Sequence, residues 1–115
     1  FKLRFEPLSY QVAQVEVTAD QEAYLTQFKA VLDQNKEQII RLCAVTVPAD
    51  LPTKVPAEME LNELQKNQLI DIGMQREKAL KKFLVEKGVA SARLLECKPK
   101  IDTEKEAKPR IDLDT

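Results

Sequence analysis

The chemistry open to this chain is bounded by two thiols, Cys43 and Cys97, and by the complete absence of histidine. Without histidine the commonest general base and the commonest transition-metal ligand are both missing. Two thiols alone do not make a closed zinc site. Each cysteine lies in a short apolar segment, so two readings stand. If those segments are neighbouring strands, the thiols fall within the Cα separation of about 4.4–6.8 Å that a disulfide needs, and an exported domain would permit the bond. Otherwise they are two small buried side chains. Asp112 and Asp114 alternate along a final segment, and paired carboxylates can do acid–base work or hold Ca²⁺. No cleft signal accompanies them, and a solvated strand face is the simpler reading. Arg76 stands inside an apolar stripe at helical spacing, with Leu69, Ile72, Ala79, Leu80, Phe83 and Leu84. Its stem must be partly covered, and Asp71 and Glu77 are at hand as ion-pair partners.

The whole chain has 115 residues, enough for one domain with one core. Its 18 basic and 19 acidic side chains nearly cancel, which gives no basic face and argues against nucleic acid as a partner. No stretch is apolar and long enough to insert directly into a membrane. No signal peptide is visible. The first residues, Phe1-Lys2-Leu3-Arg4-Phe5, read as a strand, and the chain is expected to be a single domain, 1–115, cut from a larger protein.

The elements that must position these residues follow from periodicity. Leu3 and Phe5 alternate with Arg4 and Glu6, a half-buried strand that Pro7 ends. Residues 10–17 read either as a short extra strand with a bulge or as an extended crossover. Thr18 and Gln21 have capping-box spacing, and Tyr24, Leu25, Phe28, Val31 and Leu32 share one face of a helix over about 19–35, with Asn35 as its stop. Residues 39–47 are almost continuously apolar and β-branched, as in a central strand covered on both faces. Pro48, Pro52 and Pro56 then make a rigid loop. A second helix spans about 60–87. Gly73 either kinks it or permits tight packing, and Gly88 is its left-handed stop. Leu94 to Cys97 is a short strand, Lys98 to Lys108 a polar hairpin loop, and Pro109 opens a last strand carrying Ile111 and Leu113. The order β-α-β-α-β-β predicts an α/β domain, an α+β sandwich. It has a mostly parallel sheet, both helices on one face, and a last strand returning antiparallel.

The run Arg76-Glu77-Lys78-Ala79-Leu80-Lys81-Lys82-Phe83-Leu84 with Val85-Glu86-Lys87-Gly88-Val89 resembles the signature of OmpA-like C-terminal domains. The strand Ile40 to Thr46 sits where that family has an apolar strand ending in Gly-x-Thr-Asp, and Leu3 to Pro7 resembles its opening strand. Leu42-Cys43-Ala44-Val45, Pro48-Ala49-Asp50, Cys97 to Asp102 and Lys108-Pro109-Arg110 further resemble the C-terminal domain of large AsmA-like envelope proteins.

The resemblance implies a periplasmic place in the bacterial cell envelope and a site for peptidoglycan. In the family an Asp after the second strand and an Arg on the second helix hold the two ends of the diaminopimelate side chain. A zwitterionic head needs one acceptor and one bidentate donor. Arg76 matches that Arg. Val47 stands where the Asp belongs, Leu69 and Gly73 where the helix has Asn and Ser, and Ala44 where the strand has Gly. The clamp is therefore incomplete, with Asp50, three residues on, as its one candidate replacement. The expectation is a non-enzymatic interaction or anchoring module, a degenerate member of the family, whose partner is peptidoglycan or an envelope protein. A working peptidoglycan binder that uses Arg76 and Asp50 is the alternative. No cofactor and no metal is expected.

Overall fold

A computed structural model describes residues 3–56 and 59–115 of the chain. The expected opening strand begins with Phe1 and Lys2, which lie outside the described residues. Of its remainder, only Arg4 is bridged, to Asp114. Regular pairing starts after Pro7, in β1 (Leu8–Ser9). The alternation that matters there is Leu8 and Tyr10 inward with Ser9 outward.

The remaining elements are α1 (Ala19–Gln34), β2 (Ile40–Thr46), a 3-10 turn at Pro48–Asp50, α2 (Glu63–Glu86), a 3-10 turn at Ser91–Arg93, β3 (Leu94–Glu96), β4 (Lys100–Ile101) and β5 (Arg110–Asp114). β4 falls inside the segment expected to be a plain hairpin loop. It pairs with β2 at Val45 and Thr46.

The sheet is mixed, and its order is β1-β5-β2-β3 with β4 also on β2. β3 and β4 run parallel to β2, whereas β5 is antiparallel to both β2 and β1. It follows that β1, β2, β3 and β4 all point the same way and only β5 opposes them. The expected sense of the strands holds, but half of the pairings are antiparallel because β5 inserts between β1 and β2. The polar segment before Pro109 is long enough to carry the chain back into that slot.

Both helices pack on one face of the sheet. Leu25, Phe28 and Leu32 of α1 and Leu80 and Leu84 of α2 share one core with Leu8, Ile40, Leu42, Leu94, Ile111 and Leu113. Burying a leucine of this kind is worth roughly 1.5–3 kcal/mol, so this single cluster holds the layers together. On the opposite face Arg41, Asp112 and Asp114 remain accessible, and Arg41 pairs with Asp114 at 3.2 Å. At its start β2 is covered on one face only, with Arg41 exposed on the other; toward its end Val45 is buried on that second face too, so the two-sided cover its composition suggests holds only there.

The helix ends show how local sequence sets the boundaries. Gln21 Oε1 accepts from Thr18 N–H at 3.0 Å, while Gln21 N–H turns to the Thr18 carbonyl rather than its hydroxyl. α2 starts at Glu63 through a full capping box: Asn62 Oδ1 accepts from Gln65 N–H, and Gln65 Oε1 accepts from Asn62 N–H. Leu61 precedes the helix and Leu64 is exposed, so the first turn adds nothing to the core. α1 has no basic residue in its last turn. Arg93 supplies one from across the fold, donating to the carbonyls of Leu32, Asn35 and Gln38. Gly88 closes α2 with φ of 105°.

Candidate functional site

α2 buries Leu69, Gly73, Arg76, Glu77, Leu80 and Leu84. This is one helical face, and it carries two ionisable groups into the interior. Each finds a partner in the loops and strand edges facing α2.

Arg76 meets Asp50. Pro48 pre-sets the backbone of the 3-10 turn that ends in Asp50. Asp50 N–H donates to the Val47 carbonyl at 2.9 Å, and Val47 N–H donates back to Asp50 Oδ2 at 3.0 Å. This reciprocal pair aims the carboxylate inward at α2. Arg76 Nη1 donates to Oδ2 at 3.0 Å and Nη2 to Oδ1 at 2.6 Å, a bidentate fork. Both side chains are fully buried, at 0% exposure. The sequence-based candidates are thus brought together, and the pairing of Arg76 with Asp71 or Glu77 is not formed.

The β1–α1 connector closes over this pair. Ala13 N–H donates to Asp50 Oδ1 at 2.9 Å, and Arg76 Nε donates to the Gln14 carbonyl at 2.6 Å. Each oxygen of Asp50 therefore accepts two hydrogen bonds, which exhausts a carboxylate's lone pairs. Burial by itself would raise the Asp50 carboxyl, but the Arg76 fork and the amides of Ala13 and Val47 together hold it below its usual range. Tyr10 lies under the guanidinium, with Cζ 5.2 Å from the ring centre. Its buried hydroxyl has no hydrogen-bond partner among the described residues. Burial, opposed by Arg76, pushes that phenol far above its ordinary value.

Residues 10–17 prove to be a crossover with a turn at Val12 and Ala13, not an extra strand. Ala13 has φ of 65°, a left-handed conformation that costs a non-glycine residue about 1 kcal/mol. Gln14 bonds within the turn, accepting from Gln11 N–H, and its amide reaches Gln21 Oε1 at 2.9 Å. Gln21 in turn donates to the Ser9 carbonyl at 2.7 Å. Apart from the Gln11–Gln14 contact inside the turn, these contacts join residues from separate parts of the chain, and nothing in the local sequence signals them.

The second ionisable group, Glu77, fills a gap in the sheet. β2 pairs with β3 through Leu42–Glu96 and with β4 through Val45–Lys100. Three steps along β2 therefore face four along its partner, and the extra residue interrupts the ladder and carries the partner's carbonyls out of register. Ala44 N–H is left over, and it donates to Glu77 Oε2 at 2.8 Å. Burial pushes the Glu77 carboxyl up to about 7, opposed by that hydrogen bond and assisted by nearby Glu96. Gly73, one turn earlier, lets α2 come down on the same place. A Cβ on Gly73 would lie 2.5 Å from Pro99 Cβ and 3.4 Å from Ala44 Cβ. Tight packing, not a kink, explains this glycine.

Cys43 on β2 and Cys97, the residue after β3, are disulfide-bonded, with their Cα atoms 4.8 Å apart. Val47 and Leu69 are buried, and Ala44 packs beside Gly73. Beyond the end of β2 a groove of about 1100 Å³ opens, lined by Val47, Leu51, Pro56, Met59 and Lys105 among others. No cluster of metal-ligating side chains occurs among the described residues, and no helix there is long and apolar enough to cross a membrane.

No family model and no curated protein matches the sequence. Solved structures do match its backbone. The OmpA-like domain of FopA1 from Francisella tularensis subsp. tularensis SCHU S4 superposes with a TM-score of 0.72 at 8% identity, over 95% of this chain and 69% of that one. A putative MotB-like protein from Desulfovibrio vulgaris superposes with a TM-score of 0.64 at 14% identity, over 93% of this chain and 67% of that one. At such identities the likeness is one of architecture: two helices on one face of a mixed sheet, the fold of an OmpA-like domain.

Proposed function

We propose that this domain is a non-catalytic interaction and anchoring module of a bacterial cell-envelope protein, placed in the periplasm, in which the peptidoglycan clamp has become an internal lock. The observation that carries this reading is the Asp50–Arg76 pair: the acid and the guanidinium that a diaminopimelate head would engage are fully buried and bonded to each other. A ligand would have to separate them and replace four hydrogen bonds to one carboxylate. Leaving either charge buried without its mate costs several kcal/mol.

Other features fit the same reading. The disulfide suits an oxidising compartment. With both thiols bonded and histidine absent, the usual nucleophile–base pairs are missing. The apolar groove beside Leu51 and Met59 offers a surface for an envelope protein partner. A large AsmA-like protein is the parent this reading favours, on the motifs around Cys43 and Cys97.

One observation favours the second reading, a working peptidoglycan binder: the acid and the base of the clamp do meet, as a relocated Asp50 would require. Co-sedimentation with purified sacculi separates the two. The native domain is expected to stay in the supernatant. Pelleting that Arg76→Ala abolishes would establish the binder instead.

A further inference from the structure

We infer that residues 11–16 of the β1–α1 connector are a removable internal occupant of the Asp50–Arg76 site, a strap that opens as a unit while the rest of the fold stays intact. This rests on the reading of that pair as a closed clamp.

The strap meets both ends of the pair with matching polarity. It presents an amide N–H, of Ala13, to the carboxylate, and a carbonyl, of Gln14, to the guanidinium. These are the donor and the acceptor that any polar ligand of this pair has to replace. The cover is one chain thick: Gln11, Val12 and Ala13 are exposed on their outer side, although Asp50 and Arg76 beneath them are fully buried. Apolar anchorage lies at the two ends of the connector: Tyr10 is buried in the core, its hydroxyl without a partner among the described residues, and Val17 packs against that core. Between them no residue is buried, and the span is held by polar contacts, those of Gln14 with Gln11, Glu16 and Gln21. In the closed strap Ala13 holds a left-handed φ of 65°, a strain that opening would release. Few apolar contacts, an exposed backbone and stored strain are the marks of a segment that opens below the global unfolding free energy.

The test reads the strap directly and does not depend on sacculus binding, so its failure is distinct from failure of the proposed function. Hydrogen exchange of the native domain comes first. The Ala13 amide and the Arg76 Nε–H are expected to exchange through a common opening, faster than the Leu80 amide of the core. Arginine-selective labelling with p-hydroxyphenylglyoxal then uses exposed Arg41 as the internal standard. Ala13→Pro removes the N–H and forbids the positive φ, and should raise Arg76 labelling relative to Arg41 by about tenfold or more, with the disulfide and helix content unchanged. Arg76 Nε–H exchange only through global unfolding overturns the inference whatever the variant does. Arg76 protection unchanged in a folded Ala13→Pro domain overturns it as well.

Discussion

Arg76 and Asp50 lie 26 residues apart in sequence and form a bidentate pair with no solvent contact on either side chain. A buried pair of this kind pays heavily for desolvation and stabilises only through close geometry and full hydrogen bonding. Both conditions hold here. Removing one partner by Arg76→Ala or Asp50→Ala is expected to destabilise the domain by about 3–5 kcal/mol. Replacing both by apolar residues of similar size, Asp50→Leu with Arg76→Met, should cost far less than the sum of the single changes. Urea unfolding of the four proteins measures this as a double-mutant cycle, and additive single changes would show that the two groups act independently.

Glu77 gives stability a pH dependence at neutral values. Its folded carboxyl sits at about 7 against an ordinary 4.5. The folded state therefore binds more protons between those values, and stability falls as pH rises from about 4.5 to about 7, then levels. Asp50 works in the opposite sense. Its folded carboxyl lies below the usual range, so its contribution is lost as pH drops below about 4. Glu77→Gln keeps an acceptor for Ala44 N–H and removes the titration. It should flatten the upper slope and raise stability at pH 8 by on the order of 1–3 kcal/mol. An unaltered slope in that variant would place the titrating group elsewhere.

Gly73 separates helix propensity from packing. Alanine is better than glycine in a helix interior by about 1 kcal/mol, so propensity alone predicts that Gly73→Ala stabilises. The new Cβ would press on Pro99 at 2.5 Å and 2.9 Å, and overpacking typically costs about 1–3 kcal/mol. A lower midpoint in thermal or urea unfolding is expected. A higher one would mean that Pro99 yields freely.

The disulfide closes a long loop, its cysteines being 54 residues apart. Chain entropy then assigns it roughly 4 kcal/mol. The double substitution Cys43→Ala, Cys97→Ala should lower unfolding stability by about 2–4 kcal/mol and leave the helix content at low denaturant unchanged.

Much of the fold was legible because it is written in local periodicity. The apolar stripe from Leu69 to Leu84, the Gly88 stop and the β-branched run around Val45 place α2 and β2 within a few residues. The slot taken by β5 was not legible, since Ile111 and Leu113 alternate in the same way whichever strand they join. The alternation of Leu3 and Phe5 with exposed Arg4 and Glu6 holds, and Phe5 packs on the core, but only Arg4 is bridged there; the paired strand lies past Pro7, at Leu8–Ser9, which alternation alone does not reveal. At the site, a resemblance pointed to Arg76 and, three residues past a missing acid, to Asp50. That these two neutralise each other depends on the 3-10 turn that Pro48 starts and on the strap carrying Ala13 and Gln14, and the strap has no sequence signature. Glu77 reads from the sequence as an ion-pair partner for Arg76, and the helix pattern does not mark it as the acceptor for Ala44 N–H. The proline in Cys97-Lys98-Pro99 marks where the ladder on β2 is interrupted, but nothing in the sequence names Glu77 as the acceptor for Ala44 N–H.

The most direct measurement is a titration of the isotopically labelled domain with a soluble diaminopimelate-containing muropeptide, following the Arg76 Nε–H resonance. With the guanidinium held by Asp50 and the Gln14 carbonyl, that resonance should stay in place up to millimolar muropeptide. A saturable shift of the Arg76 signal, abolished by Asp50→Asn in a folded domain, would show a working clamp and contradict the closed-lock reading.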